Sequence, residues 1–276
     1  MEEKKIRELI ERGRAFTKPS YSEEYNDETY FTDQELKRKQ PPLVKEAMGG
    51  RCYTLPTDFE ALNINNDFLN VINTRASHRV YTEEVMTLRE LSYLLWCSQG
   101  IKEIRGKAYA TLRTVPCGGA RHEFEVYLVL QKVEGIPNGY YHYLPQSHTI
   151  ELIKEEENPR EFISDSLQQQ AWAAKANAVF YISAVYYRAE WRYGIYAHRV
   201  LLIDAGHITE NLYLACTSIS LGGCAIGAVD DTIANKAFGL DGEEECIIYA
   251  HPVGRIRSED KEKEQDFYAF VREQGL

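Results

Sequence analysis

Arg75-Ala76-Ser77-His78-Arg79 places two guanidiniums and a hydroxyl on alternate residues. In an extended segment alternate side chains share one face, and two forked cations around a hydroxyl make a phosphate clamp. A solvated surface run is the other reading of so short a motif. A second stretch, Pro116-Cys117-Gly118-Gly119-Ala120-Arg121, stands directly ahead of the strand-forming run Glu123 to Leu130. Adjacent glycines leave backbone amides bare, so something flat or anionic can come close. Cys117 is also a candidate nucleophile, but no companion His or Asn lies in a recognisable signature. A third group, Arg192, Tyr193, Tyr196, His198, Arg199, Asp204 and His207, crowds the start of a long apolar segment. A helix beginning there offers free amides to an anion, and a buried His207 reads first as a hydrogen-bonded core residue. His142 and His148 flank a hairpin turn without a third ligand and read as surface residues, so no metal centre is expected. The nucleophile elbow, the phosphate-binding loop lysine and the zinc-helix motif are all missing.

These groups need elements to hold them. Leu88, Leu91, Leu94 and Leu95 fall at helical spacing, with Gly100 as a stop. Glu123 to Lys132 reads as a strand. Gly139 to Tyr143 and His148 to Ile153 read as a hairpin. Ala176 to Tyr187 is almost continuously apolar, the pattern of a central buried strand. A long helix follows, from about Ile195 to Leu221. The turn Leu221 to Asp231 holds glycines, but it follows a helix and has Cys224 where the dinucleotide fingerprint needs glycine, which excludes a Rossmann reading. Asp230-Asp231 reads as the N-cap of the next helix. Glu245 to Gly254 is a last core strand, and Glu259 to Gln274 a charged terminal helix. This order predicts a mixed α/β domain with helices packed on a sheet.

Residues 1–65 differ. Ile6, Leu9 and Ile10 mark a short amphipathic helix, and a polar, turn-rich stretch follows. The segment reads as an arm wrapped over a body of residues 66–276, as a docking segment, or as a mobile tail. The chain of 276 residues carries a net charge of −10, which argues against a nucleic-acid partner. Six scattered cysteines fit reduced thiols. The charged amino terminus has no signal-peptide core, and no apolar run is long enough to span a bilayer. A cytoplasmic protein without a membrane partner is expected.

Together these blocks resemble the nitroreductase family of flavin enzymes, in particular its SagB-type dehydrogenase branch. Arg-Ala-Ser-His-Arg at 75–79 resembles the family's Arg-x-Ser-x-Arg. The 88–101 helix, the 115–129 block, the tyrosine-rich hairpin, the 202–231 helix and turn, and Tyr249 to Arg255 resemble its other blocks, in the same order. The resemblance implies an α+β (mixed α/β) nitroreductase-like fold, with a central mixed sheet surrounded by helices in a domain-interlocked homodimer. It implies FMN as cofactor, with NADPH or NADH as electron donor and ping-pong transfer to or from a small organic or peptide-borne heterocycle. Arg75, Ser77 and Arg79 would hold the phosphate, with Arg255 as a second partner. Pro116, Cys117 and Gly118 would lie against a flavin held mainly by the other subunit, and backbone amides of Gly227 and Ala228 would stand beside the ring. The family's serine is Cys117 here, which exchanges a good hydroxyl for a weak thiol. Azoline dehydrogenases of the branch carry a Lys-Tyr pair where this chain has Arg192-Tyr193. Arginine cannot act as a base, which leaves Tyr193, its pKa brought down by Arg192, to relay a proton. The alternative is a non-catalytic partner protein in a peptide-modifying assembly.

Overall fold

Long runs of strand formers occupy the middle of the sheet, and strands of three residues its two edges. The computed structural model describes residues 3–18, 29–266 and 268–275. The strands are β1 (Cys52–Thr54), β2 (Ile101–Arg105), β3 (Ala110–Arg113), β4 (Phe124–Leu130), β5 (Gly139–Leu144), β6 (Thr149–Glu155), β7 (Ala178–Val185), β8 (Leu221–Gly223) and β9 (Glu245–Arg255). The helices are α1 (Glu3–Thr17), α2 (Phe68–Thr74), α3 (Leu88–Gln99), α4 (Arg160–Ser166), α5 (Tyr186–Tyr193), α6 (Ala197–Ser218), α7 (Asp231–Phe238), α8 (Lys261–Asp266) and α9 (Ala269–Glu273). Seven strands form one sheet in the order β1-β6-β5-β4-β7-β9-β8, while β2 and β3 make a separate ribbon. Every ladder between these strands is antiparallel. Parallel pairing is confined to isolated bridges such as Ser77 with Gly223.

The period-2 pattern divides the core between the two faces. Val126, Leu128, Leu130 and Phe180 meet Leu91, Leu94, Leu95, Leu212 and Cys216 of α3 and α6. Tyr127, Val129, Val179 and Tyr181 meet Ile163 of α4 and Phe238 of α7. Thr87 and Glu90 close a reciprocal capping box at the start of α3, and Asp230 caps α7 as its sequence predicts. The terminal charged stretch forms two short helices, α8 and α9, in place of the one expected.

Residues 29–54 run along α5 and the sheet. Tyr187 Oη donates to Asp33, Trp191 Nε1 to the Arg38 carbonyl and Arg188 Nε to the Pro42 carbonyl. β1 then joins the sheet along β6. One buried polar network fixes this clamp. Glu125 accepts from the Lys45 amide at 2.8 Å and pairs with Arg188 at 2.6 Å and His142 at 3.3 Å. Burial alone would raise the Glu125 pKa, but Arg188 and His142 outweigh it and hold the carboxyl far below its usual range. α1 buries none of its residues. The turn-rich stretch at 19–28 lies outside the described residues.

Candidate functional site

The Arg-x-Ser-x-Arg segment leaves α2 in extended form and docks on the last strand of the sheet. Ser77 bridges Gly223, and the His78 amide donates to the Gly223 carbonyl at 3.0 Å. Gly223 has to be bare: a Cβ there would stand 2.5 Å from His251 Nε2 and 3.2 Å from the Pro252 carbonyl. Tyr213 of α6 binds the segment to the turn beyond β8. Its hydroxyl accepts the Ala225 amide at 2.8 Å and lies 3.2 Å from Ser77 Oγ, while the Arg75 guanidinium covers its ring at 5.3 Å. Arg75 forms no ion pair with a carboxylate among the described residues. Behind Tyr213, with 4.6 Å between ring centroids, lies the fully buried His251, neither of whose nitrogens has a hydrogen-bond partner among the described residues. Burial lowers its pKa to about 3, so the ring is neutral. Gly227 and Ala228 are exposed, and a Cβ at Gly227 would meet nothing within 4 Å. A cavity of about 570 Å³ adjoins the segment, lined in part by Ser77, His78, Thr217, Ser220 and Arg257.

A second cluster forms around the glycine pair. Gly118 donates its amide to the buried Asp204 carboxylate at 2.7 Å. A Cβ on Gly118 would stand 2.7 Å from Val200 Cγ1 and 3.2 Å from Tyr193 Oη. At Gly119, φ is +55° and a Cβ would collide with Arg192. The bare backbone thus accommodates Arg192 and Tyr193 of the same chain. Ala120 and His122 also take positive φ, of 52° and 46°, a conformation costly for residues with a side chain. Cys117 helps to hold it. Its sulfur accepts the His122 amide at 3.1 Å and donates to Glu123 Oε2 at 3.0 Å. Burial, then the carboxylates of Glu123 and Asp204, push the thiol pKa far up, so Cys117 is a proton donor and a poor nucleophile. Pro116 is exposed at the loop's rim. Arg192 donates Nη1 to Gln34 Oε1 at 3.1 Å and to Tyr109 Oη at 3.2 Å, which ties the arm to this cluster.

The nitroreductase family pattern matches residues 72–255, about two thirds of the sequence. The chain belongs to the nitroreductase family. Among curated proteins it is 34% identical over 186 residues to the nitroreductase-family protein MJ1384 of Methanocaldococcus jannaschii, covering 67% of this chain and 89% of that one. It is 28% identical over 147 residues to the trifolitoxin-processing protein TfxB of Rhizobium leguminosarum bv. trifolii, covering 52% of this chain and 39% of that protein. A solved nitroreductase structure from Ralstonia eutropha superposes with a TM-score of 0.60 at 24% identity, over 80% of this chain and 97% of that one. The E. coli microcin synthetase McbBCD complex, with truncated pro-MccB17 bound, contains a chain that superposes with a TM-score of 0.55 at 15% identity, over 93% and 95%. These last two likenesses speak for the fold.

Against this nitroreductase frame, several expected residues have other surroundings. Arg255 donates Nη2 to Glu90 at 2.8 Å and Nε to the Val85 carbonyl at 3.2 Å, so it is a structural cation tying β9 to the α3 cap. Tyr193 is not lowered. Burial, with Cys117 and Asp204 nearby, raises its pKa despite Arg192, so it is protonated at neutral pH. His142 and His148 are core residues. His142 stacks on Tyr127 at 4.8 Å, and His148 lies 2.8 Å from both Ser92 Oγ and Tyr143 Oη. His207, expected in the core, is exposed, while Asp204 is buried. Tyr213 and His251 went unrecognised because an aromatic and a histidine inside apolar runs carry no spacing signal. The one available hint was Tyr213's place on the long helix, ten residues before Gly223.

Proposed function

We propose that the chain is an FMN-dependent oxidoreductase whose cofactor is held between two copies. What carries this reading is the placement of its two clusters on α6. Asp204 serves the glycine loop and Tyr213 the Arg-x-Ser-x-Arg segment. Nine residues apart on a helix, they stand about 13.5 Å apart along the axis and half a turn round it. One chain therefore presents two half-sites on opposite sides of α6, and a second copy would complete each. The donor set fits the group. Arg75, without an acidic partner among the described residues, and Ser77 suit a phosphate, and the open amides of Gly227 and Ala228 suit a ring edge.

Bound FMN would supply reversible hydride chemistry, with NADPH or NADH as the donor. The protein's part is to anchor the phosphate through Arg75, Ser77 and Arg79, and to present amides at Gly227 and Ala228. The loop Pro116, Cys117 and Gly118 of the second copy would lie against the ring. Tyr193, protonated and beside that loop, can donate a proton to a reduced substrate; Arg192 orients it and adds positive potential. A ping-pong course follows from one site serving both substrates. A peptide-borne heterocycle is favoured over a free nitro compound by the likeness to TfxB, a trifolitoxin-processing protein, and to a chain of the microcin synthetase complex. The rival reading, a non-catalytic partner in a peptide-modifying assembly, draws on Arg192 being held by the arm residue Gln34.

The test is an absorption spectrum of the purified protein, with mass spectrometry of what heat releases and gel filtration across a dilution series. A flavin spectrum, released FMN and a dimer are expected. A colourless protein that refuses FMN, or an active flavin-bound monomer, overturns the shared site. Flavin that stays oxidised under anaerobic reductant moves the case to the rival.

A further inference from the structure

The family match ends at residue 255, and the chain beyond it folds back onto the phosphate-reading segment. Glu264 of α8 accepts the Arg79 amide at 2.9 and 3.0 Å and the Val80 amide at 2.9 Å, and lies 3.4 Å from His78 Nδ1. Tyr268 Oη accepts from Arg79 Nη1 at 2.9 Å. The same guanidinium lies over the Tyr268 ring at 5.6 Å and the Trp172 ring at 5.8 Å. The cavity of about 570 Å³ beside these contacts is walled by Ser77 and His78 on one side and by Arg257, Asp260 and Glu264 on the other. Two adjacent backbone amides and an imidazole converging on one carboxylate form an anion cradle filled by the chain itself. Two carboxylates in its wall repel an incoming phosphate dianion.

We propose that residues 258–266, together with Tyr268, are an anionic strap. Glu264 occupies the place at Arg79 and Val80 that a phosphate monoester would take, and the strap must lift before the cofactor's phosphate can seat. The inference rests on the FMN reading above for the identity of the ligand. Its physical content is a competition: the closed strap lowers the apparent affinity for a phosphorylated ligand by the fraction of molecules that stand open. A ligand without phosphate meets no such competitor.

Full-length protein freed of cofactor tests it, as wild type, Glu264→Gln and Tyr268→Phe. FMN and riboflavin are titrated by flavin fluorescence. Hydrogen exchange of residues 256–266 is followed with and without inorganic phosphate. Glu264→Gln should bind FMN roughly tenfold more tightly with riboflavin affinity unchanged, and phosphate should speed exchange of the strap in the wild type. Tyr268→Phe should shift FMN binding in the same direction by a smaller factor, and it carries the test if Glu264→Gln does not fold. FMN binding to wild type that is unchanged or weaker in both variants overturns the strap and leaves the flavin reading intact. Failure of every form to bind either flavin overturns the flavin reading. The phosphate-dependent exchange then decides the strap alone, and unchanged exchange overturns it.

Discussion

The two clusters on α6 are built on different principles. Around Asp204 the glycine loop is closed. Its amide, its thiol and the space above both glycines are all taken up by groups of the same chain. Around Tyr213 the structure is assembled but open. Among the described residues Arg75 has no acidic counterpart and the buried His251 has two bare nitrogens, and Gly227 and Ala228 face solvent. A closed cluster fixes a geometry, and an open one has donors to spare for a ligand. Where glycine serves the closed cluster it makes room for side chains; at Gly223 it makes room for a strand bridge against an imidazole.

The sharpest break between the two comes from adding bulk. Gly223→Val would drive a side chain into His251 and the Pro252 carbonyl, neither of which can retreat. A loss of about 3 kcal/mol is expected, seen as a thermal midpoint lower by roughly 6–12 °C. Gly118→Ala meets the side chains of Val200 and Tyr193 and should cost about 1 kcal/mol; no loss at all would show that the glycine loop is not closed.

Acid comes next. His251 at the open end and His122 at the closed end both have pKa values lowered to about 3, the first by burial and the second by burial with Arg113 and Arg121. In each case the folded pKa lies below the unfolded one. The stability each contributes is therefore complete above about pH 6.5 and declines as pH falls toward 3, because the unfolded chain takes the proton more readily. Between pH 6.5 and 5 each should remove about 2 kcal/mol. Urea melts at the two pH values should show a smaller loss in His251→Phe, and an undiminished loss would place the proton-sensitive group elsewhere.

Asp204→Ala strands the Gly118 amide and should cost about 1–2 kcal/mol, with Asp204→Asn recovering most of it; equal losses in the two would show that charge, not the hydrogen bond, holds the loop. The smallest effect belongs to Cys117→Ser, which keeps a donor to Glu123 and should change stability by less than about 0.5 kcal/mol. The wild-type thiol should also resist alkylation at pH 8. Loss of turnover in the serine variant would make Cys117 a nucleophile after all.

Strand and helix placement was readable wherever an apolar period ran unbroken. The central strand, the α3 stop, the α7 cap, the hairpin and α6 lie where the pattern puts them. The terminal helix was misread because a run of charges has helical propensity but no apolar face to keep it continuous. The buried histidines were misread for the opposite reason: His142 and His148 look like hairpin polar residues, and only the strand register brings Glu125 and the Ser92 hydroxyl to them. Of the candidate site, Arg75, Ser77 and Gly118 were readable from spacing or from bare backbone. The partners that decide their roles depend on distant contacts: Tyr213 and Asp204 reach across more than eighty residues of chain and His251 reaches Tyr213 across 38, which local pattern does not encode.

The single bridge between Ser77 and Gly223 has a consequence for the life of the protein outside any reaction. β8 is only three residues long and closes the sheet on that side. Whenever residues 75–79 lift away, a raw strand border is exposed as a template for other chains. Damage to this segment should then show first as polymerisation and poor yield rather than as slow turnover, and a small molecule clamped there would act as a shield against self-association.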